Sequence, residues 1–369
     1  MERKSRKDKS RLAALTCILA LTFLIPCSAL TADPVKPLTK VRWAYVAATC
    51  EAAVFAAKEK GFWEAEGLDV ELIKGDWNFI KESFAFNKID GAQGMALTWL
   101  KAAEQGIDLK VVAGVHTGCI HVIAGNNTAI NSVDGLKGKR IGVPAIGSTP
   151  FMFLNRVLGA KGWDVQKDVE WRAFPASELA LVLEKGEVDA VVVSDPHGTM
   201  ILADGKGRSI LNTAVTPPYK DEYCCLIFLT GKFYRESPEA AAAVSRGLLK
   251  AAKWVSANPE AAASLAVGKK YVGGTVELNA KSLAGLNFIP SVSGGRKALI
   301  LAGNEMKASR MLEAGTDIEQ LAGRIFAPLS GVTDEWIDSI KVESASADRP
   351  LGMADETSGT PSALREAHR

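Results

Sequence analysis

Hydrophobic and polar positions along this chain form short blocks, which alternate between the two-residue period of a strand and the 3.6-residue period of a helix. Residues 41–47 alternate as a half-buried strand does, whereas the valines of residues 190–194 are typical of a strand buried on both faces. The predicted strands are residues 41–47, 70–75, 91–96, 109–115, 121–124, 140–145, 169–174, 190–194, 209–212 and 224–230. Helices are predicted between them at residues 48–60, 77–86, 97–104, 133–137, 151–158 and 177–184. This rhythm predicts an α/β fold with mostly parallel sheets covered by helices on both faces.

The remainder of the chain has helical periodicity, interrupted by Asn-Pro, Gly-Gly and Gly-Thr breaks. Its predicted helices are residues 238–256, 259–269, 276–286, 297–312 and 318–325. The chain leaves a first unit near Cys119 and returns to it near Cys224. We therefore expect a discontinuous lobe I of residues 38–118 plus 222–343, with an inserted lobe II of residues 119–221. Two crossings between two sheets are typical of hinged lobes that hold a ligand between them.

The first 32 residues differ from the rest, because a basic segment before Leu12 precedes an uncharged apolar stretch that ends near Pro26. This stretch is too short for a comfortable membrane span, and it predicts a secretory signal peptide over residues 1–32. Cys27 ends a sequence similar to a bacterial lipobox, so lipid attachment at Cys27 stays open as an alternative to plain cleavage. The polar tail of residues 344–369 has little to bury and is predicted to be disordered.

Removal of the signal segment changes the charge of the protein. The formal net charge of the whole chain is +2. It becomes about −2 without the basic segment, which argues against a nucleic-acid partner. Cys50, Cys119, Cys224 and Cys225 remain in the exported protein, in a compartment that permits disulfides. The sequence has no C-x-x-C pair, which argues against a zinc ribbon or a thioredoxin.

The residues from Arg140 to Phe151 predict a buried strand, a glycine turn and the start of a helix. Thr149 is the predicted N-cap and Pro150 the predicted first helical residue. Such a junction directs unpaired backbone N–H groups, together with the Ser148 and Thr149 hydroxyls, toward one point and favours an anion there. The alternative is an ordinary strand-to-helix turn whose polar residues only cap the helix.

Ligands of open α/β sheets lie beyond the carboxyl ends of the strands, so these ends supply the candidate binding residues. The candidates are Thr49, Cys50, Trp77, Met95, Ala96, Gly147, Ser148, Thr149, Asp195 and His197. Structural alternatives accompany them. Asp195 and His197 are compatible with a plain turn, and Trp77 with packing at a helix start. Thr49 and Cys50 are more typical of a cap and a core filler.

Histidines and cysteines concentrate near the predicted crossings between the lobes. Alternation along a strand would place Cys119 and His121 on one face, where a thiolate and an imidazole could hold a soft metal ion. A disulfide between Cys119 and either Cys224 or Cys225 is an equally simple account. We expect a disulfide or buried thiols rather than a metal, and we expect no cofactor.

Three segments of the chain resemble elements of a known family. The segment from Glu59 to Leu72, EKGFWEAEGLDVEL, resembles an element near the start of the nitrate, sulfonate and taurine substrate-binding proteins of ABC importers. Residues 136–149 resemble the second element of that family, and residues 183–190 resemble the third. The resemblance implies a periplasmic-binding-protein type II fold that binds a small solute and delivers it to a permease driven by an ATPase. It implies no covalent chemistry, and Trp77 resembles the tryptophan that walls the site in nitrate-binding members.

The leading hypothesis is an extracytoplasmic, periplasmic solute-binding protein that is monomeric and binds a small anion or an anion-bearing organic molecule. Two hypotheses from other classes stay open. Proteins that make the pyrimidine of thiamine share this fold and resemble the same elements. The histidines and cysteines also permit a metal or redox sensor, but the export signal favours the transport hypothesis.

Overall fold

The computed structural model describes residues 37–344, and residues 38–344 belong to one compact unit. The predicted signal peptide, the lipid site at Cys27 and the predicted tail beyond Ser344 lie outside the described residues. Across the residues that are described, no helix combines the length and the apolar character needed to cross a membrane.

Ten strands form within the described residues. They are β1 Thr39–Tyr45, β2 Leu68–Lys74, β3 Gly91–Gly94, β4 Leu109–Thr117, β5 Ile120–Gly125, β6 Arg140–Val143, β7 Glu170–Ala173, β8 Ala190–Ser194, β9 Gly207–Asn212 and β10 Tyr223–Thr230. Each predicted strand is present, with ends shifted by at most three residues, and β8 has the predicted bounds. Alternation and valine content therefore locate the strands well in this chain.

The strands form two sheets of five. Sheet A has the order β2-β1-β3-β10-β4, and sheet B has the order β7-β6-β8-β5-β9. In each sheet two of the pairings are parallel and two are antiparallel, because β10 and β5 run against both of their neighbours. The predicted α/β class is confirmed, and the sheets are mixed.

Helices cover both sheets. They are α1 Ala52–Glu59, α2 Trp77–Ala85, α3 Ala96–Glu104, α4 Thr149–Ala160, α5 Leu179–Glu184, α6 His197–Ala203, α7 Gly231–Glu236, α8 Pro238–Ala257, α9 Pro259–Gly268, α10 Val276–Gly285, α11 Val292–Ala308, α12 Ile318–Ile325 and α13 Asp334–Ser339. Short 3-10 helices occur at Thr49–Glu51, Glu64–Glu66, Val133–Leu136, Ala176–Glu178 and Tyr219–Asp221. The short helices α6, α7 and α13 were not predicted, because six or seven residues give too few turns for a helical period to stand out.

The chain crosses between the sheets twice. Gly118 and Cys119 make the first crossing, between the end of β4 and the start of β5, and both have a positive φ, of +75° and +128°. For a residue with a side chain such as Cys119, this backbone conformation costs of order 1–3 kcal/mol. The second crossing joins β9 to β10. The boundaries given above for lobes I and II stay a prediction.

The C-terminal helices pack tightly on sheet A. Trp43, Trp63 and Trp99 are fully buried there, and the Trp63 indole Nε1 donates to the Val244 carbonyl in α8 at 2.9 Å. On the opposite side α11 lies directly on the backbone of β4, where Gly295 meets Gly114. This packing makes sheet A a firm base for the loops that follow its strands.

Candidate functional site

A cavity of about 660 Å³ lies where strands of the two sheets end. Sheet A contributes the residues that follow β1, β2 and β3, and sheet B contributes those that follow β6, β7 and β8. Ligands of α/β sheets bind at such carboxyl ends. The volume also falls in the range of roughly 300–1,000 Å³ that is usual for small-molecule sites. We refer to this space as the cleft.

The cleft brings together most of the candidate residues taken from the sequence. Those that line it are Cys50, Trp77, Met95, Thr149, Asp195 and His197. The other four are not among the lining residues. Thr49 is buried and donates its hydroxyl to the Asn279 Oδ1 of α10 at 2.6 Å. Ala48 is the N-cap of the 3-10 helix that follows, so Thr49 is neither a ligand contact nor the expected cap. Ala96 is a buried residue at the start of α3.

The glycine turn before α4 is present, but its cap differs by one residue from the prediction. Ser148 is the N-cap, Thr149 is the first helical residue and Pro150 follows it. The Ser148 hydroxyl donates back to the Ala145 carbonyl at 2.7 Å, so it supports the turn and does not face the cleft. The Thr149 hydroxyl shares a hydrogen bond of 3.0 Å with the Thr98 hydroxyl of α3.

The backbone at the start of α4 has N–H groups without hydrogen-bond partners in the described residues, the feature that favours an anion. Among residues 37–344, no hydrogen-bond partner is found for the N–H groups of Thr149 and Phe151. Thr149 itself lines the cleft. Free N–H groups in the first turn of a helix carry partial positive charge and attract anions.

Lys81 adds a full positive charge beside this turn. Its Nζ lies 3.1 Å from the position that a Cβ on Gly147 would take. No hydrogen bond or ion pair of Lys81 occurs within the described part of the chain, and burial lowers the pKa of the ammonium, although Asp76 and Glu82 act in the opposite direction. Lys81 lies on α2, one turn after Trp77, and only tertiary packing brings it to Gly147, so no local sequence pattern indicates it.

The carboxylate of Asp195 is not free to bind a solute, because four hydrogen bonds from protein groups occupy it. Its Oδ2 accepts from the His121 Nε2 at 3.1 Å and from the Ser282 hydroxyl at 2.6 Å, and its Oδ1 accepts from the backbone N–H and the hydroxyl of Thr199. Burial opposes ionisation, yet these hydrogen bonds and the charge of His121 together hold the pKa of Asp195 below its ordinary value. The Asp195 carbonyl also accepts from the Thr49 N–H at 3.0 Å. Asp195 therefore connects the end of β8 to the loop after β1 and to α10.

His197 and Glu51 are the other titratable groups in this part of the cleft wall. Burial lowers the pKa of His197, and nearby Asp195 partly opposes this shift. Burial raises the pKa of Glu51 to about 8, against the effect of the Ala48 and Val46 N–H groups that donate to its carboxylate. The carboxylates of Glu51 and Asp195 are occupied by protein donors. Around the cleft, the positive groups without an ion pair in the described residues are Lys74, which lines the cleft, the first N–H groups of α4, and Lys81, which lies beside Gly147 just outside the lining residues.

All four described cysteines converge on the floor of the cleft. Cys50, Cys119, Cys224 and Cys225 are buried, have free thiols and line the cavity. Neighbouring residues of a strand normally face opposite sides, but β10 is irregular at Cys225, where its register against β4 shifts. This bulge is what allows both Cys224 and Cys225 to reach the cluster. The disulfide alternative is not realised, and the buried-thiol expectation describes the structure.

The thiols of this cluster interact directly with one another. Hydrogen bonds from Cys119 above all, and from Cys224 and Cys50, lower the pKa of the Cys225 thiol well below its ordinary value, although burial acts against this. The pKa of Cys50 is raised by its hydrogen bond with Cys119 and then by that with Cys225 and by burial.

The metal candidates taken from the sequence, Cys119 and His121, do not form a pair. His121 is occupied by Asp195. Cys119 lies outside β5, at the crossing, so alternation along a strand does not relate the two residues. A ligand group does form elsewhere: ligand atoms of Cys50, His116 and Cys225 all lie within 4.8 Å of one another.

Two mixed sheets with a cleft at their strand ends are the fold of periplasmic binding proteins, as the comparison with solved structures shows. The fold agrees with the alkanesulfonate-binding protein SsuA from Xanthomonas axonopodis pv. citri, solved with MOPS bound, at a TM-score of 0.67 and 18% identity over 79% of this chain and 99% of that chain. The chain belongs to the NMT1-like family, whose model matches residues 35–267.

Curated relatives agree with this family assignment. The chain is 23% identical to the nitrate/nitrite binding protein NrtA of Nostoc sp. over 60% of this chain and 55% of that protein. It is 28% identical to a putative aliphatic sulfonates-binding protein of Bacillus subtilis over 54% of this chain and 60% of that protein. The match thus spans somewhat more than half the length of these curated relatives.

Proposed function

We propose that this protein is the extracytoplasmic solute-binding component of an ABC importer. It binds one small anion, or an organic molecule with an anionic group, in the cleft between sheets A and B, and it passes this solute to a permease and its ATPase. In this role the protein acts as a monomer and carries out no covalent chemistry.

The observation that carries this proposal is the unpaired positive charge beside the α4 turn. The Lys81 ammonium lies next to Gly147, and the first N–H groups of α4 have no partner in residues 37–344. Asp76 and Glu82 act on Lys81 only at a distance, and no direct ion pair of it occurs in the described residues, so an anion that enters from solvent would be stabilised there. The two elements come from different sheets, so an anion between them would favour a closed arrangement over an open one.

The relatives support the same class of solute. One is named a nitrate/nitrite binding protein and another a putative aliphatic sulfonates-binding protein. The enzyme and sensor hypotheses raised from the sequence find no support among these relatives. The apolar part of the cleft wall, with Trp77 and Met95, leaves room for an organic group attached to the anion.

The proposal is tested by isothermal titration of the purified protein with nitrate, bicarbonate, taurine and a series of alkanesulfonates. We expect one of these to bind with a stoichiometry of one. Lys81→Ala should then weaken binding by roughly 10- to 150-fold, the loss expected for a charge-assisted hydrogen bond of about 1.5–3 kcal/mol. Lys185→Ala, which removes an exposed lysine of the second sheet's helices, is the matched control and should leave binding unchanged.

Two results would contradict this account. Failure of every anion to bind would overturn the proposed class of solute. Equal binding by the wild type and Lys81→Ala would show that the charge beside Gly147 does not contact the solute, and would remove the main support for the proposal.

A further inference from the structure

We propose that Cys50, His116 and Cys225 form a binding site for a soft metal cation in the floor of the cleft. The expected ligand is an ion of the Zn²⁺ or Cu⁺ class, held by two thiolates and one imidazole. This site goes beyond the proposed anion-binding function, which uses Lys81 and the start of α4.

The geometry of the three residues is close to that of a metal site. Their ligand atoms lie within 4.8 Å of one another. In a tetrahedral zinc site with Zn–S bonds of about 2.3 Å, sulfur atoms are separated by about 3.8 Å. Side-chain rotations that move each atom inward by a fraction of an ångström to about an ångström therefore complete the coordination.

The fold holds each of the three ligands in place. His116 on β4 and Cys225 on β10 are directly opposed in the register of sheet A, which keeps their Cβ atoms close together. Cys50 lies in the 3-10 helix after β1, and its carbonyl accepts from the Gln93 Nε2 at 3.0 Å. Two adjacent strands of sheet A and the 3-10 helix that follows β1 thus supply the ligands, on ordered elements as a preorganised site requires.

The surroundings of His116 match those of a metal-binding histidine. Its Nδ1 lies 3.3 Å from the Thr117 carbonyl, which can only accept, so Nδ1 carries the proton and Nε2 carries the lone pair. A hydrogen bond from the second ring nitrogen to a backbone carbonyl is the usual outer support of a metal-bound imidazole. The ring is fully buried and packs against Phe288 with centroids 5.0 Å apart.

Gln93 provides independent evidence for a missing ligand, because a buried polar atom of its side chain has no hydrogen-bond partner in the described residues. Its side-chain Oε1 is buried and finds no hydrogen-bond partner within the described residues, and Gln93 is only 3% exposed. Its Nε2 lies 3.4 Å from the His116 Nε2, at the long end of hydrogen bonding. A buried acceptor left unpaired costs about 1–3 kcal/mol. A metal-bound water is a donor that could satisfy it.

The chemistry of the donors decides which cation fits. Two thiolates and an imidazole favour soft or borderline ions, whereas Mg²⁺ and Ca²⁺ require oxygen ligands. Cys119 and Cys224 line the same cavity as Cys225, so a side-chain rotation of either one would offer a fourth sulfur. Because the four cysteines line the cavity, the ion can reach them from the cleft, and its binding displaces thiol protons to solvent.

The experiment titrates the full chain with Zn²⁺ alone, after reduction and removal of metals with a chelator that is then dialysed away. A chromophoric chelator reports the free Zn²⁺, and Co²⁺ serves as a spectroscopic probe in a parallel titration. We expect one Zn²⁺ per chain and, with Co²⁺, a thiolate-to-metal charge-transfer band in the near ultraviolet. The Cys50→Ala/Cys225→Ala double variant and His116→Ala should lose the one-to-one binding. Met311→Leu, which removes a sulfur outside the cluster at nearly constant volume, should keep it.

The proposal is overturned if the reduced wild type takes up no stoichiometric Zn²⁺, or if Co²⁺ binds without the charge-transfer band. It is also overturned if the folded double variant binds Zn²⁺ as the wild type does. Circular dichroism and thermal unfolding establish that each variant is folded, and the wild-type Co²⁺ spectrum remains decisive if one is not. Anion titrations in the presence of the chelator separate the two proposals, because they test the Lys81 site without any metal.

Discussion

Removal of the Asp195 carboxylate is expected to destabilise the protein strongly. In Asp195→Ala the His121 Nε2, the Ser282 hydroxyl and the Thr199 N–H and hydroxyl all lose their acceptor. Asp195 is 4% exposed, so most of these donors stay away from bulk water. Each buried donor without a partner costs about 1–3 kcal/mol. An upper limit is the cost of about 3–5 kcal/mol for breaking a buried ion pair, because the contact of Asp195 with His121 is an ion pair only when His121 is protonated.

The magnitude should fall at the lower end of that range. Asp195 lines the cleft, so water that enters the cleft can satisfy the donors on the Thr199 side. We therefore expect a loss of about 3 kcal/mol in the free energy of unfolding. With an unfolding entropy of about 2.1 cal/mol/K per residue over roughly 300 folded residues, this corresponds to a fall in Tm of about 5 °C. Asp195→Asn keeps an acceptor for Thr199 and should lose less.

Urea unfolding followed by circular dichroism at pH 7 measures this difference. Asp221→Ala is the matched control, since Asp221 is exposed and pairs only with Lys220, and it should change stability by less than about 0.5 kcal/mol. The pKa of Asp195 is lowered in the folded protein, so its contribution is fully present above the unfolded pKa of about 3.9 and is lost as the pH falls through the folded pKa. A stability of Asp195→Ala within 1 kcal/mol of wild type at pH 7 would refute the network described here.

Two further predictions concern buried positions. In Gly295→Ala the new Cβ would lie 2.5 Å from the Gly114 nitrogen and should cost about 1–3 kcal/mol in urea unfolding. Gly268→Ala is the control, because nothing lies within 4 Å of the added Cβ at this helical position, and it should raise the free energy of unfolding by about 0.5–1 kcal/mol. An equal effect of the two substitutions would contradict the packing of α11 on β4. The pKa of Glu51 is raised to about 8, so its contribution is fully present below the unfolded pKa and is lost as the pH rises toward the folded pKa. Wild-type stability should therefore decline from about pH 5 to pH 8 more than that of Glu51→Gln, and parallel pH profiles of the two proteins would contradict this.

The sequence pattern predicted the elements better than their arrangement. Alternation and valine content located all ten strands, and α12 has the predicted bounds. Strand direction was harder, since a period of two does not say whether β5 and β10 run with or against their neighbours; that depends on where the crossings return the chain. The helix α6 was missed because Asp195-Pro196-His197-Gly198 has the composition of a turn, although a helix starts within it.

Some residues of the candidate site were predictable from the sequence and others were not. Cleft residues such as Trp77 and Thr149 lie shortly after strands, so they were predicted from the rule that ligands bind beyond the carboxyl ends of strands. Lys81 was missed because it lies within a helix, 66 positions along the chain from Gly147, and no local pattern links the two. The pairing of Cys119 with His121 assumed a continuous strand, which the positive φ at Gly118 and Cys119 interrupts.

The same interruption explains why the metal-ligand group is not the predicted one. His116 lies before the crossing and belongs to β4, so it faces Cys225 of β10 rather than the residues of β5. Cys50 joins this group from a loop 66 residues earlier in the sequence than His116. The register of sheet A places His116 opposite Cys225, and a bulge that a sequence pattern does not reveal shifts that register. The 3-10 helix after β1 then adds Cys50.

The most direct test of the central claim is a crystal structure of the protein grown with the anion that binds most tightly in the titrations. The account predicts one anion in the cleft between sheets A and B, within hydrogen-bond distance of the Lys81 Nζ and of the N–H groups at the start of α4. An anion bound outside the cleft, with Lys81 still unpaired beside Gly147, would contradict it.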